Sequence, residues 1–347
     1  MLEAVVASVW SRLPGPWWWA VASLALVAGL LFLVIGIIVA IRVYNSMTIG
    51  VCDSQRRMDG KTVLVTGANS GIGKETAREL ARRGAKVIMA CRNMETAKAA
   101  QEEIMKETGN QSVVLYNLDL SSMASVRKFA KELCSAEQVL DVLIHNAGVA
   151  QTFRRSVTSE GLEATMATNH YGPFLLTHLL INLLKKSEKG RIVIVASELY
   201  RLAKVDLRNP NPVSSLPAYL YYVSKYANIL FCRELAYRLQ GTGITANCLH
   251  PGMIDSGIWR NVPFPLNLPL KMIIKGFFKT PAEGAQTTLH LAISEELEGV
   301  SGKYFMDCKE RQLTQGIQDM GAAKKLWELS EGLVGLTQSD PQIGGES

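Results

Sequence analysis

The residues best suited to chemistry form two groups, a glycine-rich string and a tyrosine followed by a lysine. The string at 66–73 reads TGANSGIG, and Tyr221 and Lys225 are separated by four positions. Glycines let a backbone turn tightly around a pyrophosphate at the start of a helix. Residues four apart lie on one face of a helix, and a nearby ammonium favours the phenolate of a tyrosine. A nucleotide-binding turn combined with a proton-transfer pair indicates an oxidoreductase.

The residues around the glycine string predict a strand, a turn and a helix. The run 62–65 is short and apolar, and Ala77, Leu80 and Ala81 recur at helical spacing within 74–83. The glycines follow a G-x-x-x-G-x-G pattern instead of the common G-x-G-x-x-G dinucleotide fingerprint. Taken alone, the string also fits an ordinary strand-to-helix loop rich in small residues.

Further motifs, in the right order, make the chain resemble the short-chain dehydrogenase/reductase family over about residues 60–307. Ser197, Tyr221 and Lys225 match the catalytic trio of that family, and Asn169 matches its fourth catalytic residue. The resemblance implies that Ser197 hydrogen-bonds the substrate oxygen and that Lys225 also holds the nicotinamide ribose. It implies a water-linked proton relay at Asn169. With an adjacent ammonium and the charge of an oxidised nicotinamide, we expect Tyr221 to exchange a proton near neutral pH, well below the ordinary phenol pKa of about 10.

Other side chains compete for these roles. Tyr219, Tyr222 and Tyr226 crowd the same segment, and aromatic clusters usually indicate packing. Tyr222 lies three positions before Lys225, which is sterically conceivable but departs from the family pattern. His145 stands where the family most often has asparagine, on an apolar run, so we expect it to be a packing residue.

The same resemblance predicts the cofactor. The second strand ends at Cys91-Arg92, where an enzyme specific for NAD normally presents an acid. The guanidinium of Arg92 suits a 2′-phosphate, which favours NADP(H), with Lys74 as a weaker second candidate. The alternative is that Arg92 is a solvated loop residue. The expected cofactor-binding residues are Gly67, Asn69, Ser70, Gly71, Ile72, Gly73, Arg92, Asp119, Leu120, Asn146, Ala147, Gly148, Tyr221, Lys225, Pro251 and Gly252.

The N-terminal region contains a candidate membrane anchor. Residues 17–41 carry no charge, and a helix of that length would extend roughly 37 Å, more than the ~30 Å of a bilayer core. A cleaved signal peptide would have a shorter apolar core with a basic segment before it. Tryptophans at 17–19 mark one membrane interface, and Arg42 and Tyr44 mark the other. A retained single-pass anchor is therefore expected.

The distribution of charged residues and cysteines limits the possible cellular location and the possible binding partners. Arg42, Arg56, Arg57 and Lys61 follow the span and only Arg12 precedes it, so the main domain should face the cytosol. The net charge of +6 comes from scattered residues without an aromatic-interleaved stripe, which argues against nucleic acid. The six cysteines include no C-x-x-C, so neither a disulfide framework nor a metal site is expected.

Apolar runs alternating with helical patterns indicate an α/β, doubly wound (Rossmann) seven-stranded parallel sheet, preceded by one transmembrane helix. The seven expected strands are Thr62 to Thr66, Lys86 to Ala90, Val113 to Asn117, Val139 to His145, Gly190 to Ala196, Thr245 to His250 and Lys303 to Met306. The expected organisation is a short segment at 1–16, the anchor at 17–41, a tether at 42–59, the NADP-binding catalytic domain at 60–310, and a C-terminal helix with a disordered tail at 311–347. We expect the disorder over 338–347, which is polar and rich in Gly and Ser.

The segment 262–279 suggests the substrate. It is very apolar, and Lys271, Lys275 and Lys279 recur every four residues, as in a helix lying in a membrane interface. An ordinary amphipathic helix packed on the domain fits this pattern equally well. The anchor favours a lipophilic carbonyl or alcohol that dissolves in the membrane.

As a whole the chain resembles the retinol dehydrogenase branch of the family. The resemblance is carried by the string at 66–73, by Ala90-Cys91-Arg92-Asn93, by the segment 169–174 (NHYGPF) and by the segment 280–285 (TPAEGA). It implies an anchor in the endoplasmic reticulum, NADP(H), and interconversion of all-trans-retinal and retinol. A steroid, isoprenoid or fatty-aldehyde substrate and a non-catalytic lipid-binding scaffold are the alternatives, and a homodimer is left open.

Overall fold

The computed structural model describes residues 16–151, 155–254 and 278–344, apart from the side chains of 16–18, 45 and 46. A long helix is followed by an α/β domain. The elements, in chain order, are α1 (Pro16–Thr48), β1 (Thr62–Thr66), α2 (Gly71–Arg82), β2 (Lys86–Cys91), α3 (Met94–Thr108), β3 (Val113–Asn117), α4 (Met123–Ala136), β4 (Val142–His145), α5 (Gly172–Leu184), β5 (Arg191–Val195), α6 (Pro217–Arg238), β6 (Thr245–His250), α7 (Pro281–Ile293), β7 (Tyr304–Met306), β8 (Lys309–Glu310) and α8 (Met320–Leu333).

The strands form one sheet in the order β3-β2-β1-β4-β5-β6-β7-β8. β1 to β7 are parallel, which confirms the doubly wound fold. The predicted strand count of seven was wrong, because β8 adds an antiparallel eighth strand beside β7. The two are joined through Asp307 and Cys308, at φ +53° and +57°. Residues with positive φ in such a turn are usually glycine or asparagine. Asp307 and Cys308 are neither, so the hairpin was not predicted from the sequence.

Side chains from both faces of the sheet are buried, as continuous apolar strands require. In β1, Leu64 packs into a cluster with α4, α5, α6 and α8. Its neighbours Val63 and Val65 point the other way, into a cluster with α2, α3 and α7. The parallel strands therefore end at a common edge covered by helices on both sides, where ligands bind in open α/β sheets.

Helix α1 stands apart from this core. An 18-residue window within Trp19–Tyr44 has a mean hydropathy of 3.2, and none of that window is buried within the structure. Large apolar side chains are exposed along it, for example Phe32 at 76%. Such a surface is stable in lipid and not in water, so α1 fits a membrane anchor.

The tether behaves differently from a free linker. The helix extends to Thr48, and the chain after it packs onto the catalytic domain. Met58 is 3% exposed and Cys52 is 9% exposed. Arg56 pairs with Glu298 at 3.1 Å between Nη1 and Oε1. The tether thus joins the anchor to the catalytic domain and is packed against that domain.

The C-terminal segment also differs from the expectation of disorder. Within 338–344, Asp340 forms an ion pair with Arg127 at 2.6 Å, and Ile343 is 3% exposed in the main core. Gly344 lies against Arg238, because a Cβ there would be 2.9 Å from the Cβ of that arginine. These contacts come from residues distant in sequence, so composition alone missed them. Residues 345–347 lie outside the described residues.

Candidate active site

The glycine turn after β1 has the geometry of an anion-binding cradle. Gly67 and Gly71 adopt φ of +67° and +57°, where side chains are disfavoured. A Cβ on Gly73 would lie 2.3 Å from Nδ2 of Asn146. Ser70 is the N-cap of α2, yet its side chain makes no capping hydrogen bond. The first amides of α2 therefore have no side-chain acceptor, and a pyrophosphate fits this site.

The segment after β4 holds the turn in place. Nδ2 of Asn146 donates to the backbone oxygen of Thr66 at 2.9 Å. The backbone amides of Asn146 and Ala147 both donate to the Thr66 hydroxyl at 3.1 Å. A Cβ on Gly67 would stand 3.0 Å from the Cα of Ala147. The segment Asn146-Ala147-Gly148 (the N-A-G segment) thus packs directly against the cradle.

A cavity of about 410 Å³ lies beyond the ends of β2, β3 and β4. Arg92 and Asp119 line it, together with Val149 and Thr168. The Asp119 carboxylate accepts a hydrogen bond from the Ser121 hydroxyl at 2.6 Å. Arg92 and Asp119, two of the expected cofactor-binding residues, thus line the same cavity.

Lys74 does not share this environment. Its ammonium pairs with Glu103 of α3 at 2.6 Å, and its side chain is 21% exposed. The alternative phosphate ligand is therefore already engaged in an ion pair. Arg92 is exposed and lines the cavity.

Ser197, Tyr221 and Lys225 lie together at the end of β5. Ser197 lies two residues after β5 and is 5% exposed, and its hydroxyl interacts with that of Tyr221. Both other residues lie on α6, whose spacing of four brings the Lys225 ammonium 5.5 Å from the Tyr221 ring centroid. The same ammonium donates to the backbone oxygen of Val195 at 2.8 Å. The trio predicted from the sequence is assembled in space.

Burial shifts the pKa values of both the phenol and the lysine. Burial raises the pKa of Tyr221 to about 12, and the hydrogen bond with Ser197 opposes this rise. Burial also lowers the pKa of Lys225 to about 8. The protein's own groups therefore keep the phenol protonated at neutral pH, because the lysine lies over the ring and bonds to Val195 instead of to the phenol.

Asn169 lies in a π-helical turn, Ala167–Tyr171, that leads into α5. Its side chain accepts from the amide of Val149 at 2.8 Å and donates to the carbonyl of Val149 and to the Ser224 hydroxyl, both at 2.9 Å. A Cβ on Gly148 would be 3.5 Å from Lys225 Nζ and 3.6 Å from Asn169 Oδ1. The side-chain amide thus positions the segment beside the lysine, while π-helical turns frequently mark functional sites.

The residues that could compete for the catalytic roles make structural contacts of their own. The Tyr222 ring packs against that of Tyr221 with centroids 6.1 Å apart, and Tyr226 donates its hydroxyl to the Gly316 carbonyl. His145 is buried and shares a hydrogen bond of 2.8 Å with Thr177. Burial lowers its pKa to about 3. His145 is thus a neutral packing residue, as expected.

The Pro251-Gly252 turn follows β6 at the same edge of the sheet. Gly252 has φ +97°, and the side chain of Lys279 lies against it. Lys279 forms an ion pair with Asp307. Its ammonium therefore does not belong to the lysine stripe predicted for a membrane-facing helix. The rest of that stripe, at 271 and 275, lies outside the described residues.

Sequence reasoning missed two contributors to the site. The Thr66 hydroxyl accepts hydrogen bonds from the backbone amides of Asn146 and Ala147. Thr66 could have been identified as the first residue of the glycine string. The Lys279–Asp307 pair was missed because its partners are distant in sequence and neither belongs to a motif.

Comparison with known proteins gives the following matches. A family model described as short chain dehydrogenase matches residues 61–264. Retinol dehydrogenase 14 of Homo sapiens is 46% identical over 295 residues, which cover 80% of this chain and 88% of that protein. Retinol dehydrogenase 12 of Mus musculus is 45% identical over 290 residues, covering 83% and 90%. A short chain dehydrogenase of Shigella flexneri 2a, solved in complex with NADP, superimposes with a TM-score of 0.58 at 28% identity, covering 73% of this chain and 99% of that one.

Proposed function

The chain belongs to the short chain dehydrogenase family, and from that premise we propose that it is a membrane-anchored NADP(H)-dependent oxidoreductase that interconverts a lipophilic carbonyl and its alcohol. All-trans-retinal and retinol are the proposed substrate pair, supported by the similarity to two retinol dehydrogenases. The juxtaposition of Ser197, Tyr221 and Lys225 is the observation that carries the proposal.

In the reducing direction, Tyr221 is the proton donor. NADPH, when bound, supplies the hydride to the carbonyl carbon. The carbonyl oxygen takes the phenolic proton while the Ser197 hydroxyl hydrogen-bonds to it. The phenol is protonated at neutral pH, so it has a proton to donate to the oxygen as charge develops on it. Lys225, positively charged below its pKa of about 8, stabilises the phenolate that remains after the transfer.

NADP(H) is favoured over NAD(H) by the residues around the cavity. The amides at the start of α2 would hold the pyrophosphate, because the Ser70 side chain leaves them uncapped. Arg92 would pair with the 2′-phosphate, since it lines the cavity while Lys74 is held by Glu103. The NADP complex of the Shigella flexneri relative agrees with this assignment.

The proposed location is the membrane of the endoplasmic reticulum, with the catalytic domain in the cytosol. The apolar helix α1 supports a single span, and the basic residues after it support the orientation. Protease treatment of sealed microsomes tests this topology. Digestion of the catalytic domain without detergent is expected, and full protection would overturn the orientation.

The activity is tested with membranes that contain the full-length chain. NADPH oxidation is followed with all-trans-retinal, and parallel reactions use steroid ketones, isoprenoid aldehydes and fatty aldehydes. The proposal expects NADPH-dependent conversion of retinal to retinol at the highest kcat/KM in this panel. Faster turnover of another class would replace the retinoid as substrate, and no turnover of any lipophilic carbonyl would contradict the enzymatic assignment.

A further inference from the structure

We propose that Lys279 and Asp307 are positioning residues that link the Pro251-Gly252 turn to the membrane tether. Through this link the docked tether would fix the Pro251-Gly252 turn, whose two residues are among the expected cofactor-binding residues. The inference rests on the proposed function, since the position of the turn matters only if the chain binds NADP(H). It is carried by a continuous series of contacts from α1 to the turn.

The first contact lies between Lys279 and the turn. The Lys279 amide donates to the Met253 carbonyl at 2.8 Å, and Lys279 forms a parallel bridge with Ile254. The stem of the lysine covers Gly252, because a Cβ there would be 2.8 Å from Cδ and 3.0 Å from Nζ. Lys279 therefore holds the turn through both its backbone and its side chain.

The second contact is the ion pair between Lys279 and Asp307. The two side chains are 15% and 24% exposed, so their charges are partly shielded from water. A shielded pair is screened less than a surface pair and costs more to break. Thr280 begins α7 with a capping box, which fixes the backbone directly after the lysine.

The backbone at Asp307 is itself constrained. Asp307 and Cys308 both adopt left-handed conformations, with φ of +53° and +57°. The turn is tied to α7, because the Cys308 amide donates to the Thr287 hydroxyl at 3.3 Å. Uncommon backbone conformations persist where surrounding contacts determine them, and they concentrate at functional sites.

The third contact joins this hairpin to the membrane tether. A Cβ on Gly50 would lie 2.0 Å from the carbonyl oxygen of Asp307, so only glycine permits this approach. A parallel link comes from α1, where Nη1 of Arg42 donates to the carbonyl of Phe278 at 2.7 Å. Phe278 directly precedes Lys279. The anchor helix thus contacts the residue before Lys279, and the tether contacts Asp307.

A matched pair elsewhere on the tether provides the control. Arg56 and Glu298 form an ion pair at 3.1 Å with side chains 29% and 33% exposed. It docks the same tether to the domain, but in the part of the chain that the structure describes it makes no contact with the 251–252 turn. Loss of this pair should loosen the tether without releasing the turn.

The test measures NADPH binding to the full-length protein in detergent or nanodiscs by tryptophan fluorescence, beside KM and kcat. Lys279→Met and Asp307→Asn are expected to raise the Kd for NADPH about tenfold, the scale seen when an outer-shell partner is lost. Gly50→Val should raise the Kd for NADPH as well, because the valine side chain would displace the β7–β8 hairpin at Asp307. Lys279→Arg, which keeps the charge, and Arg56→Gln should bind NADPH as the wild type does.

The outcomes separate the two proposals. If Lys279→Met and Asp307→Asn bind NADPH as tightly as the wild type, the positioning role of this pair is overturned. An equal loss of NADPH affinity in Arg56→Gln would overturn it too. Wild-type affinity in Gly50→Val would overturn the link to the tether. Should Lys279→Met not fold, the near-isosteric Asp307→Asn and the Gly50→Val variant still decide the question. Failure of the wild type itself to bind NADPH would instead contradict the proposed function.

Discussion

At the scale of single residues, the site combines a phenol that resists losing its proton with an amine that loses one easily. Burial raises the pKa of Tyr221 to about 12 and lowers that of Lys225 to about 8. Both shifts have the same cause, because a low-dielectric site disfavours the charged form of either group. The site therefore keeps Tyr221 protonated, so that it has a proton to give to a developing alkoxide, and the lysine is the group that titrates near physiological pH.

This assignment predicts a pH dependence of cofactor binding. Lys225 carries its charge below about pH 8 and loses it above, and charge-assisted hydrogen bonds are about twice as strong as neutral ones. The Kd for NADPH should therefore rise as the pH increases through about 8. Fluorescence titrations from pH 6.5 to 10 measure it. The rise should disappear in Lys225→Arg, and an unchanged rise in that variant would assign it to another group.

Arg92 should determine the choice between the two nicotinamide cofactors. A hydrogen bond to a charged group contributes about 1.5–3 kcal/mol, so Arg92→Ala should raise the KM for NADPH by roughly 10- to 150-fold and leave the KM for NADH nearly unchanged. Steady-state rates with both cofactors provide the measurement. Lys74→Met is the control, since Glu103 already holds that lysine. A larger rise in the KM for NADPH in Lys74→Met than in Arg92→Ala would assign the phosphate contact to Lys74 instead.

At the scale of elements, the site depends on close packing of the turn after β1 against the segment after β4. The two are joined by Thr66, Asn146 and Ala147. The glycines are needed because the segments approach within contact distance, not only because the turn is tight. A single added methyl group should therefore separate the cradle from the catalytic edge of the sheet.

Gly73→Ala tests this packing. Its Cβ would lie 2.3 Å from Asn146 Nδ2 and 2.5 Å from the Gly67 carbonyl, so the variant should lower the unfolding temperature and weaken NADPH binding. Gly332→Ala in α8 is the matched control, because no atom lies within 4 Å of its Cβ. In a helix this change should stabilise by about 0.5–1 kcal/mol. Calorimetry distinguishes the two, and equal effects would contradict the packing argument.

The elements also show what the sequence could and could not predict. The bounds of β1 and β6 agree with the expected ranges, because buried parallel strands are continuous apolar runs bounded by turn residues. The family resemblance led to the expectation of Ser197, Tyr221 and Lys225 as a catalytic trio, and the four-residue spacing by itself placed only Tyr221 and Lys225 on one helical face. The β7–β8 hairpin, the docked tether and the packed segment at 338–344 were not, since each depends on pairings between distant residues, such as Arg127 with Asp340.

At the scale of the whole molecule, the catalytic domain buries several histidines in their neutral form. Burial lowers the pKa of His145 to about 3, and those of His170, His178 and His250 to about 4. In the unfolded chain these groups would titrate near about pH 6.5. The unfolded state therefore binds protons first on acidification, and stability is lost as the pH falls below 6.5 toward 4.

Each of these histidines contributes about 1.4 kcal/mol of lost stability per pH unit within that window. Because single domains are stable by only about 5–15 kcal/mol, the protein should unfold between roughly pH 6 and 4. Urea unfolding at pH 7, 6 and 5 measures the slope. His178→Gln should make the slope shallower by one histidine's share. Equal stability at pH 7 and 5 would contradict the neutral burial of these side chains.

The identity of the proton donor is the central claim, and one substitution tests it directly. Tyr221→Phe removes only the hydroxyl, whereas Tyr222→Phe makes the same change at the adjacent ring. In NADPH-dependent reduction of retinal by full-length protein in membranes, Tyr221→Phe should lower kcat by about 10²- to 10⁴-fold, the usual contribution of general acid catalysis, while Tyr222→Phe remains active. A rate in Tyr221→Phe close to that of the wild type, or the larger loss in Tyr222→Phe, would contradict the assignment.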